Sequence, residues 1–162
     1  MRRFFIAAAL VCFVTAAASA QTKVSGTAQC AKADPQHVIP VGDRPDHSLG
    51  VEQAKCTWTK PQEIGGDKSK DGVSTATDDI SGNTVHARGV HVTTMESGDK
   101  LFVAYQGTGT MKDGALQGVK GTWSYNGGTG KLKGIKGKGT YTCAPSGDGA
   151  SCDIEGEYEL AK

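Results

Sequence analysis

From Val73 to Leu160 apolar and polar positions alternate in short runs, and clusters of Gly, Asn, Asp and Ser interrupt them. Period-two alternation bounded by turn residues is the signature of half-buried strands. It predicts strands near 73–80, 84–95, 100–110, 116–125, 131–143 and 152–161. Ser81-Gly82-Asn83, Ser97-Gly98-Asp99, Lys112-Asp113-Gly114 and Asn126-Gly127-Gly128 supply the turn chemistry between them. Two earlier runs, Lys23–Lys32 and Leu49–Thr59, read as strands as well. Between these, Ala33 to Pro45 carries Pro35, Pro40, Gly42 and Pro45, a composition that resists helix and central strand alike. Pro61 to Gly72 reads as a polar loop. Beyond the leader, no sustained 3.6-residue apolar stripe occurs. About eight strands at regular spacing predict an all-β domain, a sandwich or a barrel.

The last hairpin can be registered from its own residues. If Cys143 faces Cys152, antiparallel pairing sets Tyr141 opposite Ile154, Gly139 opposite Gly156, Gly137 opposite Tyr158 and Ile135 opposite Leu160. The alternate face then matches Thr142 with Asp153, Thr140 with Glu155, Lys138 with Glu157 and Lys136 with Glu159. One assumption thus sorts apolar partners to one side and opposite charges to the other, and a one-residue slip destroys both. Tyr158 is expected to cover the bare backbone of Gly137. A second hairpin, Val90–Met95 with Lys100–Tyr105, is expected to set Val92 opposite Val103 and Val90 opposite Tyr105.

The N-terminus changes the picture of the compartment. Arg2-Arg3, the apolar run Phe4 to Val14 and Ala18-Ser19-Ala20 form a secretory leader, with residues 1–20 removed and 21–162 left as one domain. Cleavage removes Cys12 and leaves Cys30, Cys56, Cys143 and Cys152. An even number of cysteines in an exported chain implies disulfides, here with three connectivities open. The hairpin register selects Cys143–Cys152, and Cys30–Cys56 follows by elimination. The expected location is secreted or periplasmic. A net charge of +1 among 162 residues gives no field for nucleic acid or anionic lipid. The expected domain carries no integral membrane segment.

Candidate chemistry is sparse. Gly127-Gly128-Thr129-Gly130-Lys131 lacks the earlier glycine of a phosphate loop, where Tyr125 stands, and has Leu132 in place of the magnesium-binding hydroxyl. Gly121-Thr122-Trp123 reads as a structural tryptophan against glycine backbone. Asp67, Ser69, Asp71, Gly72 and Asp78 match positions of a calcium loop by spacing, with no helices flanking them, and form a weak candidate site. His47 lies near Asp43 and Asp46, whereas His86 and His91, five apart, fall on opposite faces of a strand. Lys120, Lys131, Lys133, Lys136 and Lys138 read as a charge-paired, solvated outer face rather than a nucleic-acid surface. No cofactor motif is present.

The segment Gly121 to Tyr141 resembles the late hairpin of allene oxide cyclase-like and dirigent-like barrel proteins. The resemblance rests on Gly127 to Lys131 followed by the spaced glycines Gly134, Gly137 and Gly139. It implies an eight-stranded antiparallel barrel with a hydrophobic interior, often a homo-oligomer, here disulfide-stapled and preceded by long N-terminal loops. No catalytic residue of those families maps onto this chain. The expected function is non-catalytic binding of a small apolar or amphiphilic molecule, with Trp123, Tyr125, Phe102, Tyr105 and Tyr141 as the pocket wall. The alternative is an isomerase or cyclase acting on a lipid-derived or phenolic substrate, for which His86 and Arg88 are candidates if they point inward.

Overall fold

The computed structural model describes residues 21–162, and the expected leader at residues 1–20 lies outside the described residues. Ten strands follow one another: β1 (Thr22–Cys30), β2 (Gln36–Pro40), β3 (His47–Lys60), β4 (Glu63–Ile64), β5 (Asp67–Ser81), β6 (Thr84–Met95), β7 (Lys100–Lys112), β8 (Ala115–Gly128), β9 (Lys136–Ser146) and β10 (Gly149–Glu159). Eight of them close an antiparallel barrel in the order β1-β10-β9-β8-β7-β6-β5-β3, with β3 returning to β1. Closure leaves the glycine-rich strands without a free edge along most of their length.

Strand β3 explains the irregular N-terminal third. One edge pairs with β5 over His47–Thr57, and the other is shared by β1 at Cys56–Lys60 and β2 at Ser48–Glu52. The proline-bearing stretch therefore holds a short outer strand, β2, which continues the lane of β1 after a loop. Pro40 sits at its last position, where a missing N–H disturbs no further pairing.

The last hairpin has the expected register from Cys143↔Cys152 through Gly137↔Tyr158 to Lys136↔Glu159. Both disulfides form, Cys30–Cys56 and Cys143–Cys152. Three details differ. Glu157 makes its ion pair with Lys23 of β1, at 2.9 Å, rather than with Lys138. The ring against Gly137 is that of Tyr125, while Trp123 lies over Gly139 and Gly156, so the rings come from the neighbouring strand β8. Ile135 does not pair with Leu160, because β9 begins only at Lys136.

The segment expected to open that strand instead forms a single 3-10 turn, Gly130–Leu132. Gly130 and Gly134, at φ 50° and 76°, turn the chain where an extended strand cannot. Leu132 and Ile135 are thereby driven into one end of the barrel, where Ile64, Met95 and Leu101 join them, none more than 2% exposed. The Asp99 carboxylate fixes this strap, accepting from Lys131 N–H at 3.1 Å and from Thr129 Oγ1 at 3.3 Å. The glycine-rich loop thus closes a barrel end, held by a half-exposed carboxylate at its rim.

Two further expectations are corrected. Residues 61–72 are not a loop throughout, since β4 and the start of β5 occupy much of it. Ser69 is the reason: its N–H donates to Gln62 O at 3.0 Å and its Oγ accepts from Gln62 N–H at 2.8 Å, which tucks Ile64 into the core. The β6–β7 register is shifted by one, giving Val92↔Phe102, His91↔Val103 and Val90↔Ala104. The five-residue connection after Thr94 sets this shift, with Gly98 at φ 90° and Met95 N–H donating to Asp99 O at 2.8 Å.

The barrel cavity as candidate functional site

Alternation assigns one face of every strand to the interior. Pairing carries one interior row from Asp78 to Ala87, Gly107, Gly121, Tyr141 and Ile154. The next carries Glu52 to Ala76, Gly89, Tyr105, Trp123 and Gly139. Small residues dominate the β6–β8 part of the first row and the β5–β6 part of the second, and tyrosine rings cross over the glycines: Tyr105 over Gly89, and Tyr141 over Gly107 and Gly121. A row of glycine and alanine cannot fill a barrel of this size. A cavity of 460 Å³ results, within the range that holds a small organic molecule.

The cavity wall is largely apolar, with Ala28, Ala54, Ala76, Ala87, Val103, Val119 and Ile154 beside the aromatic rings. The plugged end closes it below, while Lys32, Gln36, Glu52, Asp78 and Asp148 are the polar and charged side chains of its lining nearer the opposite end. Tyr105 and Tyr141 meet edge to face with centroids 5.8 Å apart, and Tyr105 OH shares a 2.7 Å hydrogen bond with Ser74 Oγ. Deeper, Trp58 stands edge-on to His91 at 6.4 Å.

Among the described residues, five buried side-chain polar atoms have no hydrogen-bond partner: Trp58 Nε1, His91 Nε2, Thr93 Oγ1, Tyr125 OH and Tyr141 OH. All five residues line this cavity. Buried polar groups are ordinarily paired, so such a concentration marks where a ligand's own polar atoms can be met.

The titrating groups carry the mark of the same enclosure. Burial pushes the Asp78 carboxyl up to about 6, and the Glu52 charge adds to the rise. Burial alone takes His91 down to about 4, so its imidazole is neutral at physiological pH. Burial likewise raises the phenols of Tyr105, Tyr125 and Tyr141, the last to about 12.

Trp123, Tyr125, Tyr105 and Tyr141 all line the cavity. Phe102, His86 and Arg88 do not. Phe102 falls outside because it has the opposite parity on β7 to Val103 and Tyr105, which line the cavity, and so lies on the outer face opposite Val92. His86 and Arg88 have the opposite parity to Val85 and Ala87, and they border a shallow outer depression with Gln106, Thr108, Lys120 and Thr122. An arginine is costly to bury without a partner, which was the available signal for this orientation.

The calcium-loop candidates are dispersed. Asp67, Ser69, Asp71 and Asp78 lie along the extended β5, whose rise of about 3.3 Å per residue separates the first from the last by about 36 Å. Asp67 accepts from Ser97, Ser69 is buried beside Gln62, and Asp78 enters the cavity. Among the described residues no group of three or more His, Cys, Asp or Glu side chains is arranged to hold a metal ion. His47 bonds to Asp43 and, at 3.2 Å, to Asp79, rather than to Asp46.

Sequence reasoning passed over Trp58, His91, Thr93, Glu52 and the interior role of Asp78. Each was findable by parity. Trp58 shares the face of the disulfide-bonded Cys56, Asp78 that of Ala76 and Ile80, and His91 that of Val85 and Met95.

Fold and site together define a closed eight-stranded antiparallel barrel, plugged at one end, with an apolar cavity. Neither a protein-family model nor a curated protein matches the chain. Among solved structures it is similar to a protein of unknown function of the DUF3224 family from Shewanella oneidensis, at 17% identity and a TM-score of 0.50, covering 88% of this chain and 99% of that one. A pterocarpan synthase dirigent protein aligns at 14% identity with a TM-score of 0.47, covering 88% and 87%. At such identities the first likeness concerns the fold.

Proposed function

We propose that the protein is an exported carrier or sensor that holds a small apolar or amphiphilic molecule inside its barrel without transforming it. The observation that carries this reading is the cavity of about 460 Å³, apolar in its body and lined by five unpartnered polar atoms. Pockets for small molecules combine these two features. The leader at residues 1–20 and the two disulfides fit an oxidising compartment, periplasmic or extracellular. The resemblance of Gly121–Tyr141 to allene oxide cyclase-like and dirigent-like barrels implies a hydrophobic barrel interior, which suits such a molecule but does not bear on whether it is transformed. One observation favours the alternative, an isomerase or cyclase: a carboxyl near pKa 6 in an apolar cavity is poised for general acid–base work.

The neutral fluorophore N-phenyl-1-naphthylamine tests the binding reading. It is expected to bind at one molecule per chain with a blue-shifted emission. Ala76→Leu with Ala87→Leu, two interior positions in adjacent rows, is expected to weaken it at least about tenfold by filling the cavity. Val90→Ser, on the exposed outer face, is expected to leave it unchanged. Binding that ignores the interior pair and falls with Val90→Ser would place the probe outside the barrel.

A further inference from the structure

The cavity is apolar in its body and acidic toward its unplugged end. Of its charged lining residues, Glu52, Asp78 and Asp148 are acids and Lys32 is the base. Asp78 enters from β5 and stands in the row of Ala87, Gly107, Gly121 and Tyr141, where the small residues leave its carboxylate facing open space. Glu52 enters from β3 one row away, its Oε2 accepting from Gln36 Nε2 at 2.9 Å. Among the described residues no cation is ion-paired with either carboxylate, although Lys32 lines the same cavity. Next to these acids stand the rings of Tyr105 and Tyr141, whose faces attract a positive charge.

A second observation lies deeper in the same cavity. Thr93 is buried and His91 half-buried with its Nε2 enclosed, and among the described residues His91 Nε2 and Thr93 Oγ1 have no hydrogen-bond partner. From the Ala87 row to the His91 row is four residues, a depth of about 13 Å. A molecule lying along this path meets carboxylates first, then tyrosine rings and aliphatic wall, then neutral polar atoms.

Building on the binding reading above, we infer that the ligand class is a cationic amphiphile: a protonated amine head held by Asp78 and Glu52, with an apolar body running past Tyr105 and Tyr141. An anionic head at the same place would meet two carboxylates, and a neutral one would leave them uncompensated. The groups facing Asp78 are Glu52 from β3, Tyr105 from β7 and Tyr141 from β9. Lys32 after β1 and Asp148 before β10 complete the charged lining. Because Asp78 holds its proton up to about pH 6, the preference for a cation is strongest above that pH.

Intrinsic tryptophan fluorescence of the mature protein, titrated separately with decylamine, decanol and decanoate, separates the head groups on one chain length. At pH 7.5 decylamine is expected to bind at least about tenfold tighter than decanol, with decanoate weakest, as a charge-assisted contact requires. At pH 5 the advantage of the amine shrinks. Asp78→Asn is expected to remove most of it and Glu52→Gln part of it, whereas Asp79→Asn, on the outer face beside His47, keeps it. The decanol titration of each variant reports whether its cavity is still formed. Equal binding of all three probes, tighter binding of decanoate, or an amine preference that survives Asp78→Asn would overturn the head-group assignment while leaving the binding reading intact. Failure of every probe to bind the wild-type protein would overturn both.

Discussion

Trp123→Ala is expected to cost about 3–5 kcal/mol of stability, a large share of what a domain of this size possesses. Trp123 is 5% exposed, and its ring lies over the backbones of Gly139 in β9 and Gly156 in β10. Its Nε1–H is shared between Thr140 O at 3.1 Å and Glu155 O at 3.2 Å. One side chain from β8 therefore packs on and hydrogen-bonds to the two strands that follow it. Truncation removes the ring, opens a void against two glycines that have no side chain with which to fill it, and releases both carbonyls. Urea unfolding followed by circular dichroism measures the loss. Trp123→Phe, which keeps most of the ring but not the donor, is expected to lose about 1–2 kcal/mol more gently. A loss below about 1 kcal/mol for Trp123→Ala would mean that the glycines are supported by something other than this ring.

His91 is expected to make the fold acid-sensitive. Its imidazole sits at about 4 in the folded state against 6.5 when free, because burial disfavours the charged form. The unfolded chain thus binds the proton first as pH falls below 6.5, and stability is lost progressively down to the folded value near 4. Linkage gives about 3 kcal/mol between pH 7.5 and pH 4. Asp78 acts in the opposite sense: its folded value of about 6 exceeds the ordinary 3.8, so it favours the folded state as pH falls through that window. Comparing wild type with His91→Leu isolates the histidine, since Asp78 is common to both. The variant is expected to lose about 3 kcal/mol less than wild type between the two pH values. Identical pH profiles would show that His91 is not neutral and enclosed as described.

How much of this was legible in the sequence differs from one end of the barrel to the other. The last hairpin was readable because a cysteine pair, four Lys, Thr, Asp or Glu matches and two glycine-bearing rows all depend on a single register. The β6–β7 hairpin was not, because Val90 and Val92 lie on the outer face of β6 while Val85 lies inside, so hydrophobicity changes parity at Gly89. With valine on both faces, only the turn geometry at Gly98 sets the register, and a five-residue connection cannot be told from a four-residue one by composition. Phe102 was misplaced for a simpler reason: three residues from Tyr105 on one strand, it faces the other way in either register. The plug was hidden too: Lys131-Leu132-Lys133-Gly134-Ile135 alternates like a strand, and what bends it is the pair Gly130 and Gly134 held by Asp99, a residue some thirty positions earlier. The cavity itself is the least legible feature. It exists because Ala76, Ala87, Gly89, Gly107 and Gly121 fall beside one another across four strands, an adjacency that only the full set of registers reveals.

A crystal structure of the mature protein grown with decanol bears on the hollow interior most directly. The expected result is continuous density for one decanol molecule between Tyr105 and Tyr141, reaching toward Trp58 and His91, with the plug of Leu132 and Ile135 undisturbed. An interior closed by Tyr105 and Tyr141 swung into the space, with decanol only on the outer face near Val90 or Leu116, would contradict it.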